Sequence, residues 1–352
     1  MEATGILSGG GGSTCAPCIV PTSRVARRRS RARPWGMMLA ASLAMSACGG
    51  SPFYPTPTRK GQDASVPLPP SLPNGPPVAP PEISTPARST TSTYYAKLED
   101  SLQNRGLLRE DIAPADAPFG VRQLVDNFVK IALYDEFSDP QGRLIAGERV
   151  SELRRWEAPV KMRVEFGETT PEIKRVQDRA QISAYAGRLS RVTGHPVRLV
   201  DRGANFTVFI VNEDERRALG PRLSTLISGI SAASIDAITS LPPSTLCVVY
   251  TFSEGRSPIY TQAVAVIRSE HPDRLKRGCI HEELAQGLGL ANDSPRARPS
   301  IFNDDEEFSL LTRHDELLLQ MLYDPRLKPG MKEAEARPIV TTLATELLGG
   351  DS

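Results

Sequence analysis

The chain has 352 residues, of which 24% are charged and 39% hydrophobic, so it has enough apolar side chains for one large or two ordinary folded domains. Its formal net charge of +1 is unevenly spread, because the first 48 residues hold six arginines and one glutamate and leave the remainder at −4. A folded part with that balance has no basic face for a phosphate backbone, which excludes a nucleic-acid partner.

The first predicted element is a signal peptide over residues 1–47. The arginine-rich stretch RVARRRSRARPWG precedes an apolar run, MMLAASLAMSA, that is too short to span a bilayer. Small residues directly before Cys48 resemble the lipidation motif of bacterial lipoproteins, and Gly49 after it resembles sorting to the outer membrane of a Gram-negative cell. The resemblance implies a lipid on Cys48 and a protein that faces the periplasm. An ordinary signal peptide with a chance cysteine is the alternative, and a true translation start near Val25 is also open.

A proline-rich tether is predicted over residues 48–95. Twelve prolines and few large apolar residues cannot form a core, and in an extended form the stretch reaches on the order of 100 Å. A helical segment follows over residues 96–157, because five apolar residues recur there at helical spacing. They are Val121, Leu124, Val125, Phe128 and Ala132.

The main domain is predicted over residues 158–330 with an α+β fold, because strand and helix patterns alternate there. Alternating apolar residues predict a first strand over 158–167, and a helix opens at Thr170 and ends at Gly194. Further strands are predicted over 196–201, 205–212, 245–252 and 259–268, with a helix over 221–230 among them. A helix carrying CIHEELAQGLGLAND comes next, then a helix over 311–323 and a C-terminal tail of helical character over 331–352.

The polar residues of CIHEELAQGLGLAND follow the spacing of a zinc-protease signature, H-E-x-x-H-x-x-G-x-x-H. A frame that starts at His281 fails, because the next ligand position falls on Ala285, which has no donor atom. The frame set by Gly289 fits without a gap. It places Glu283 at the general-base position and Asp293 after the motif, and the three ligand positions hold Glu282, Gln286 and Asn292.

Two later segments match in the same register. PSIFND resembles the Met-turn region, with Phe302 in place of the methionine, and LTRHDELLLQMLY resembles the last helix of matrixins and astacins, with Asp315 and Tyr323 in register. The chain is therefore similar to metzincin zinc proteases over about 158–323. The resemblance implies a mixed sheet, a signature helix after its last strand and a small helical C-terminal subdomain. The same segments also resemble an uncharacterised family of bacterial envelope proteins, which implies no activity.

The replaced ligands argue against zinc chemistry. Neutral amide oxygens bind zinc poorly, and without the metal Glu283 has no activated water to work with. The favoured interpretation is that Glu282, Gln286 and Asn292 form a polar network in a protein without cofactor or catalysis. Two alternatives stay open. The first is calcium or magnesium on the oxygens of these three residues and of Asp293, Asp304 or Asp305, and the second is zinc with His281 or His314 recruited as a ligand.

Cys247 and Cys279 are the cysteines left in the mature chain, and an oxidising compartment favours a disulfide between them, two separate buried thiols being the alternative. Three functions follow as hypotheses. The first is a membrane-anchored module that binds a peptide or an envelope protein by strand addition beside an edge strand near 259–268. The second is an active metal-dependent peptidase with atypical ligands. The third is a purely structural envelope protein.

Overall fold

The computed structural model describes residues 20–25, 85–138, 145–303 and 305–349. The predictions for Cys48, for Asp304 and for most of the signal peptide and the tether lie outside these residues. Within them, no helix is long and apolar enough to cross a membrane.

A mixed sheet of seven strands positions every other element. The strands of the chain are β1 (Val20–Val25), β2 (Tyr134–Ser138), β3 (Ile145–Val150), β4 (Arg155–Trp156), β5 (Val160–Phe166), β6 (Val197–Leu199), β7 (Phe206–Val211), β8 (Thr245–Ser253) and β9 (Ile259–Arg268). The order in the sheet is β1-β8-β9-β7-β5-β6, with the short β4 paired to β9, while β2 and β3 form a separate hairpin. All pairs in the large sheet are parallel except β1 with β8 and β8 with β9.

The strand next to the signature helix is an interior strand, and not the edge strand that the sequence suggested. β9 pairs with β7 on one side and with β8 on the other, so its backbone groups are used. Within the predicted main domain the two outermost strands are β6 and β8, and the outer side of β8 pairs with Val20–Val25. Every residue of β7 and β8 is buried, as expected for strands covered on both faces. Their continuous apolar sequences gave no sign of which one lies outermost.

Helices cover both faces of this sheet. They are α1 (Thr85–Asn104), α2 (Val121–Ala132), α3 (Glu172–Thr193), α4 (Glu213–Arg217), α5 (Gly220–Leu226), α6 (Ala232–Thr239), α7 (Asp273–Gln286), α8 (Arg313–Leu322) and α9 (Glu333–Gly349). The predicted α3 is confirmed, and Gly194 ends it in the left-handed conformation with φ 67°. The larger core lies between the sheet and α2, α3, α7, α8 and α9, and the smaller core lies under α5 and α6.

The segments before and after the predicted main domain are part of its core. α1 begins inside the stretch predicted as tether, because Tyr95 is buried against the His271 ring and donates to the Pro243 carbonyl at 3.0 Å. The segment predicted as helical over 96–157 also contains the β2–β3 hairpin and β4. The C-terminal tail is helical as predicted, and it packs against α2, where Arg337 pairs with Asp126 at 2.8 Å.

The predicted disulfide is present. Cys247 on β8 and Cys279 on α7 are bonded, with their Cα atoms 5.8 Å apart. The bond joins the edge strand to the helix that carries the signature residues. By loop-closure entropy alone a crosslink across this separation contributes roughly 3–4 kcal/mol to the free energy of unfolding.

Candidate functional site

The signature residues lie together in the interior, at the C-terminal end of α7 and in the turn after it. Glu282, Glu283, Gln286 and Asn292 are each at most 3% exposed. α7 begins after Pro272 and ends at Gly287, whose carbonyl accepts a hydrogen bond from the Trp156 indole at 2.8 Å. The indole therefore fixes where the helix stops and where the following residues turn.

Gly289 is at a position where the backbone itself demands glycine. Its φ is +127°, and a Cβ built on it would lie 2.3 Å from the carbonyl oxygen of Arg154. Residues with a side chain rarely adopt that φ, and no atom fits at that distance. The frame that assigned Gly289 to the glycine of the signature is thus matched by a local need for glycine.

The hydrogen bonds of the predicted ligand positions run outward. Asn292 donates through Nδ2 to the Lys130 carbonyl at 2.8 Å and through its backbone N–H to the Ile131 carbonyl at 3.1 Å. Gln286 Nε2 donates to Asp293 Oδ1 at 2.9 Å. Asn292 therefore holds the C-terminal end of α2 over the site. The hydrogen bonds of the Gln286 and Asn292 amide groups thus go to Asp293 and to α2, and not to each other.

The side-chain oxygen of Gln286 differs from its amide nitrogen, which is hydrogen-bonded. The Gln286 Oε1 atom is buried and has no hydrogen-bond partner in the part of the chain that the structure describes. A buried amide oxygen without a donor is an unfavourable arrangement that natural proteins keep rare. Within the same residues, no group of three or more histidine, cysteine, aspartate or glutamate side chains is arranged to hold a metal ion.

The turn that contains Phe302 is held by a single carboxylate. Asp315 is fully buried and accepts hydrogen bonds from the Ser300 hydroxyl at 2.5 Å, the Ile301 N–H at 3.1 Å and the Thr312 N–H at 2.9 Å. The Phe302 side chain is buried, and its carbonyl accepts from the Ser294 N–H at 2.9 Å. Asp315 thus joins the start of α8 to this turn, which in turn contacts the segment after the signature.

Tyr323 connects α8 to the signature from the other side. Its hydroxyl donates to the Leu288 carbonyl at 2.9 Å, next to Gly289, and burial raises the pKa of this phenol. The signature segment, the Phe302 turn and the end of α8 are therefore bonded to one another, although the sequence separates them.

The histidines considered as substitute zinc ligands have other contacts. His281 stacks on Tyr185 with ring centroids 4.0 Å apart, and its Nδ1 accepts from the Leu311 N–H at 3.1 Å. Burial, and secondarily the guanidinium groups of Arg188 and Arg277, lower its pKa to about 3.

His314 is buried at a different contact. Its Nε2 lies 3.0 Å from the Asn127 amide nitrogen, and its ring meets Phe119 edge to face. Both histidines are therefore engaged in packing contacts away from the predicted ligand positions.

The acidic run after the Phe302 turn forms ion pairs with arginine side chains and hydrogen bonds with its own backbone. Glu307 pairs with Arg109 at 2.9 Å and with Arg298 at 2.7 Å. Asp305 accepts from the Glu307 N–H at 3.0 Å, which forms a local turn. These contacts show that Glu307 joins the run to two arginines and that Asp305 stabilises a local turn.

Sequence reasoning did not find the residues that cover the site. The carbonyls of Lys130 and Ile131 on α2 and the carbonyl of Arg154 are backbone groups, and their neighbours in sequence give no signal of the contact. The stripe of apolar residues on α2 was the available sign that this helix packs against the rest of the chain.

Comparison with known proteins gives a family and no function. The model of a family described as protein of unknown function, DUF2927, matches residues 121–342, which takes in α2, the whole main domain and part of α9. No curated protein and no solved structure gives a significant match. The predicted membership of a family of unknown function is confirmed, and the chain belongs to the DUF2927 family.

Proposed function

We propose that this protein is a lipid-anchored, periplasm-facing module with a degenerate metzincin-like domain that binds an extended protein segment without cleaving it. Cys48 would carry the lipid, and the domain would face the periplasm from the outer membrane if the host is Gram-negative. The ligand would add as a strand to the outer side of β8.

The observation that carries this proposal is the pairing of β8 with Val20–Val25. That segment lies antiparallel to β8 with Pro21 opposite Tyr250 and Ser23 opposite Val248, and it contacts α7 as well as β2. An extended chain therefore already lies along this edge, beside the helix that carries Glu283. If the leader is removed before Cys48, Val20–Val25 goes with it and the β8 edge is left for another segment.

The contacts among the signature segments support the metzincin resemblance. The chain order is strand, helix, further strands and signature helix, and Gly289, Phe302, Asp315 and Tyr323 are bonded or packed around that helix.

The side chains at the predicted ligand positions argue against zinc-dependent hydrolysis of a bound peptide. Catalytic zinc needs three good donors and an open position for water. Gln286 and Asn292 offer amide groups, which are poor zinc donors. The Asn292 side chain and backbone N–H are already hydrogen-bonded to the Lys130 and Ile131 carbonyls of α2. In this proposal no step runs through a metal, and Glu283 serves as a buried structural residue.

Peptide binding tests the proposal. A fluorescent peptide of residues 19–28 is titrated into two proteins, the full chain and a chain that begins at Cys48 with Cys48→Ser to prevent lipidation. We expect the peptide to bind the shorter chain and to bind the full chain much more weakly, because there Val20–Val25 already occupies β8. The matched control is the same peptide methylated on alternate backbone nitrogens, which removes the donors needed for strand pairing.

The result separates the three functions. If the peptide binds neither the full chain nor the shorter chain, strand addition at β8 is refuted and a structural role is left. Cleavage of the peptide that disappears in Glu283→Gln would support the peptidase. Binding that persists in Glu283→Gln, without cleavage, supports the module proposed.

A further inference from the structure

A cavity lies at the opposite end of α7 from the signature residues. It has a volume of about 680 Å³ and is lined by residues that follow β5, β7 and β9, including Thr170, Asn212 and Glu270. From Asp273 at this end to Glu283 the helix rises about 15 Å, so the two places are distinct. Three parallel strands end here, and in open α/β sheets ligands bind in the crevice outside the carboxyl ends of the strands.

Two buried polar atoms on the wall of this cavity have no hydrogen-bond partner among the described residues. Thr170 is 7% exposed, and its hydroxyl has no hydrogen-bond partner among the described residues. The Glu270 Oε1 atom accepts from the Glu213 N–H at 2.8 Å, but the buried Oε2 atom has no partner in that part of the chain. Burial raises the pKa of the Glu270 carboxyl. A ligand that formed hydrogen bonds with these two atoms would remove the cost of leaving them unpaired.

The charges on the wall disfavour an anion. Lys174 is paired with Asp273 at 2.8 Å, and Lys276 is paired with Asp178 at 3.4 Å. Both lysines that line the cavity thus already have a carboxylate beside them. The carboxyl groups of Glu99, Glu270 and Asp273 also line it, so a negatively charged ligand meets no free lysine or arginine on the described wall.

The carboxylates on the wall are already engaged, which disfavours a cation. Glu99 Oε2 accepts from the Leu275 N–H in the first turn of α7 at 2.8 Å, and Asp273 pairs with Lys174 at 2.8 Å. α3 also begins at this cavity, after Pro171, and the N–H groups of its first turn carry a partial positive charge that repels a cationic ligand.

We propose that this cavity binds a neutral, hydroxyl-rich ligand, namely a sugar ring. A sugar hydroxyl can donate to Glu270 Oε2, and another can exchange hydrogen bonds with the Thr170 hydroxyl. The hydroxyls of Ser92 and Ser269 lie on the same wall. The volume lies within the roughly 300–1,000 Å³ typical of small-molecule sites. The proposal is independent of strand addition at β8.

Saturation-transfer NMR on the full chain tests it, with glucose, N-acetylglucosamine and maltose at millimolar concentration as probes. Inorganic phosphate and putrescine serve as an anionic and a cationic probe. We expect transfer to at least one sugar and specific binding of neither charged probe. Thr170→Val should weaken that sugar about tenfold, the equivalent of one hydrogen bond, and Glu270→Gln should also weaken it. Thr341→Val, on the exposed face of α9, is the matched control and should bind as the parent does.

Thermal unfolding of the same variants distinguishes lost binding from lost folding. Thr170→Val keeps the shape of the side chain and removes an unpartnered hydroxyl, so its melting temperature should equal or exceed that of the parent chain. Weaker sugar binding in a variant of unchanged or higher stability supports the site. Absence of transfer to all three sugars, binding of phosphate or putrescine alone, or full sugar binding by Thr170→Val would overturn it.

Discussion

Replacing Gly289 by alanine tests the local geometry of the signature turn directly. At this position a side chain must adopt φ +127°, and its Cβ must also fit 2.3 Å from the Arg154 carbonyl oxygen. The conformational part costs about 1–2 kcal/mol, as for other residues forced to positive φ. The steric part adds about 1–3 kcal/mol, because the carbonyl belongs to the backbone and must shift. We therefore expect Gly289→Ala to lower the free energy of unfolding by about 2–5 kcal/mol.

Gly203→Ala is the matched control. Gly203 has φ +65°, and no atom of the described residues lies within 4 Å of the place a Cβ would take, so alanine there carries the conformational cost alone. Urea unfolding gives the two free energies, and thermal unfolding gives the melting temperatures, which fall by about 2–4 °C for each kcal/mol in a domain of this size. Gly289→Ala should be the more destabilised of the two by at least about 1 kcal/mol. Equal losses in the two variants would show that the approach to Arg154 is not a constraint.

Three further predictions concern the disulfide, pH and metal content. Reduction of Cys247–Cys279 should lower the free energy of unfolding by about 3–4 kcal/mol in urea titrations, and a double alanine variant should not respond to reductant. The pKa of His281 is lowered to about 3 in the folded chain, so below pH 6.5 the unfolded chain binds one proton more than the folded chain. As the pH is lowered from 6.5 to 3, the free energy of unfolding should therefore fall by up to about 1.4 kcal/mol per pH unit. His281→Asn keeps an acceptor for Leu311 and should flatten that slope, whereas an unchanged slope would contradict the assignment. Elemental mass spectrometry of the chain from Cys48 should find no stoichiometric zinc, because amide oxygens are poor zinc ligands, and one zinc per chain would refute the argument from the ligand set.

Local sequence patterns correctly predicted β5 and α3, because alternation and helix-end signals depend only on residues close together in the chain. The apolar alternation of β5 and the glycine stop at Gly194 were sufficient for that strand and for α3. The motif spacing also drew attention to Gly289, and the structure gives this glycine a positive φ.

Contacts between distant residues could not be predicted in the same way. Asn292 bonds to Lys130, which lies 162 positions earlier, and no local pattern names that partner. The place of β9 inside the sheet depends on which strands pair with it, and β7 and β8 are equally apolar. The pairing of Val20–Val25 with β8 was missed because the segment was assigned to a leader on composition alone.

The packing of α2 against α9 has a consequence for how the chain folds. Asp126 and Arg337 meet across 211 positions, so the layer over the signature is incomplete until α9, the last described helix, has been made. Loop-closure entropy makes such contacts between distant residues slow to form. During synthesis α2 therefore lacks this neighbour until the C-terminal helix has left the ribosome.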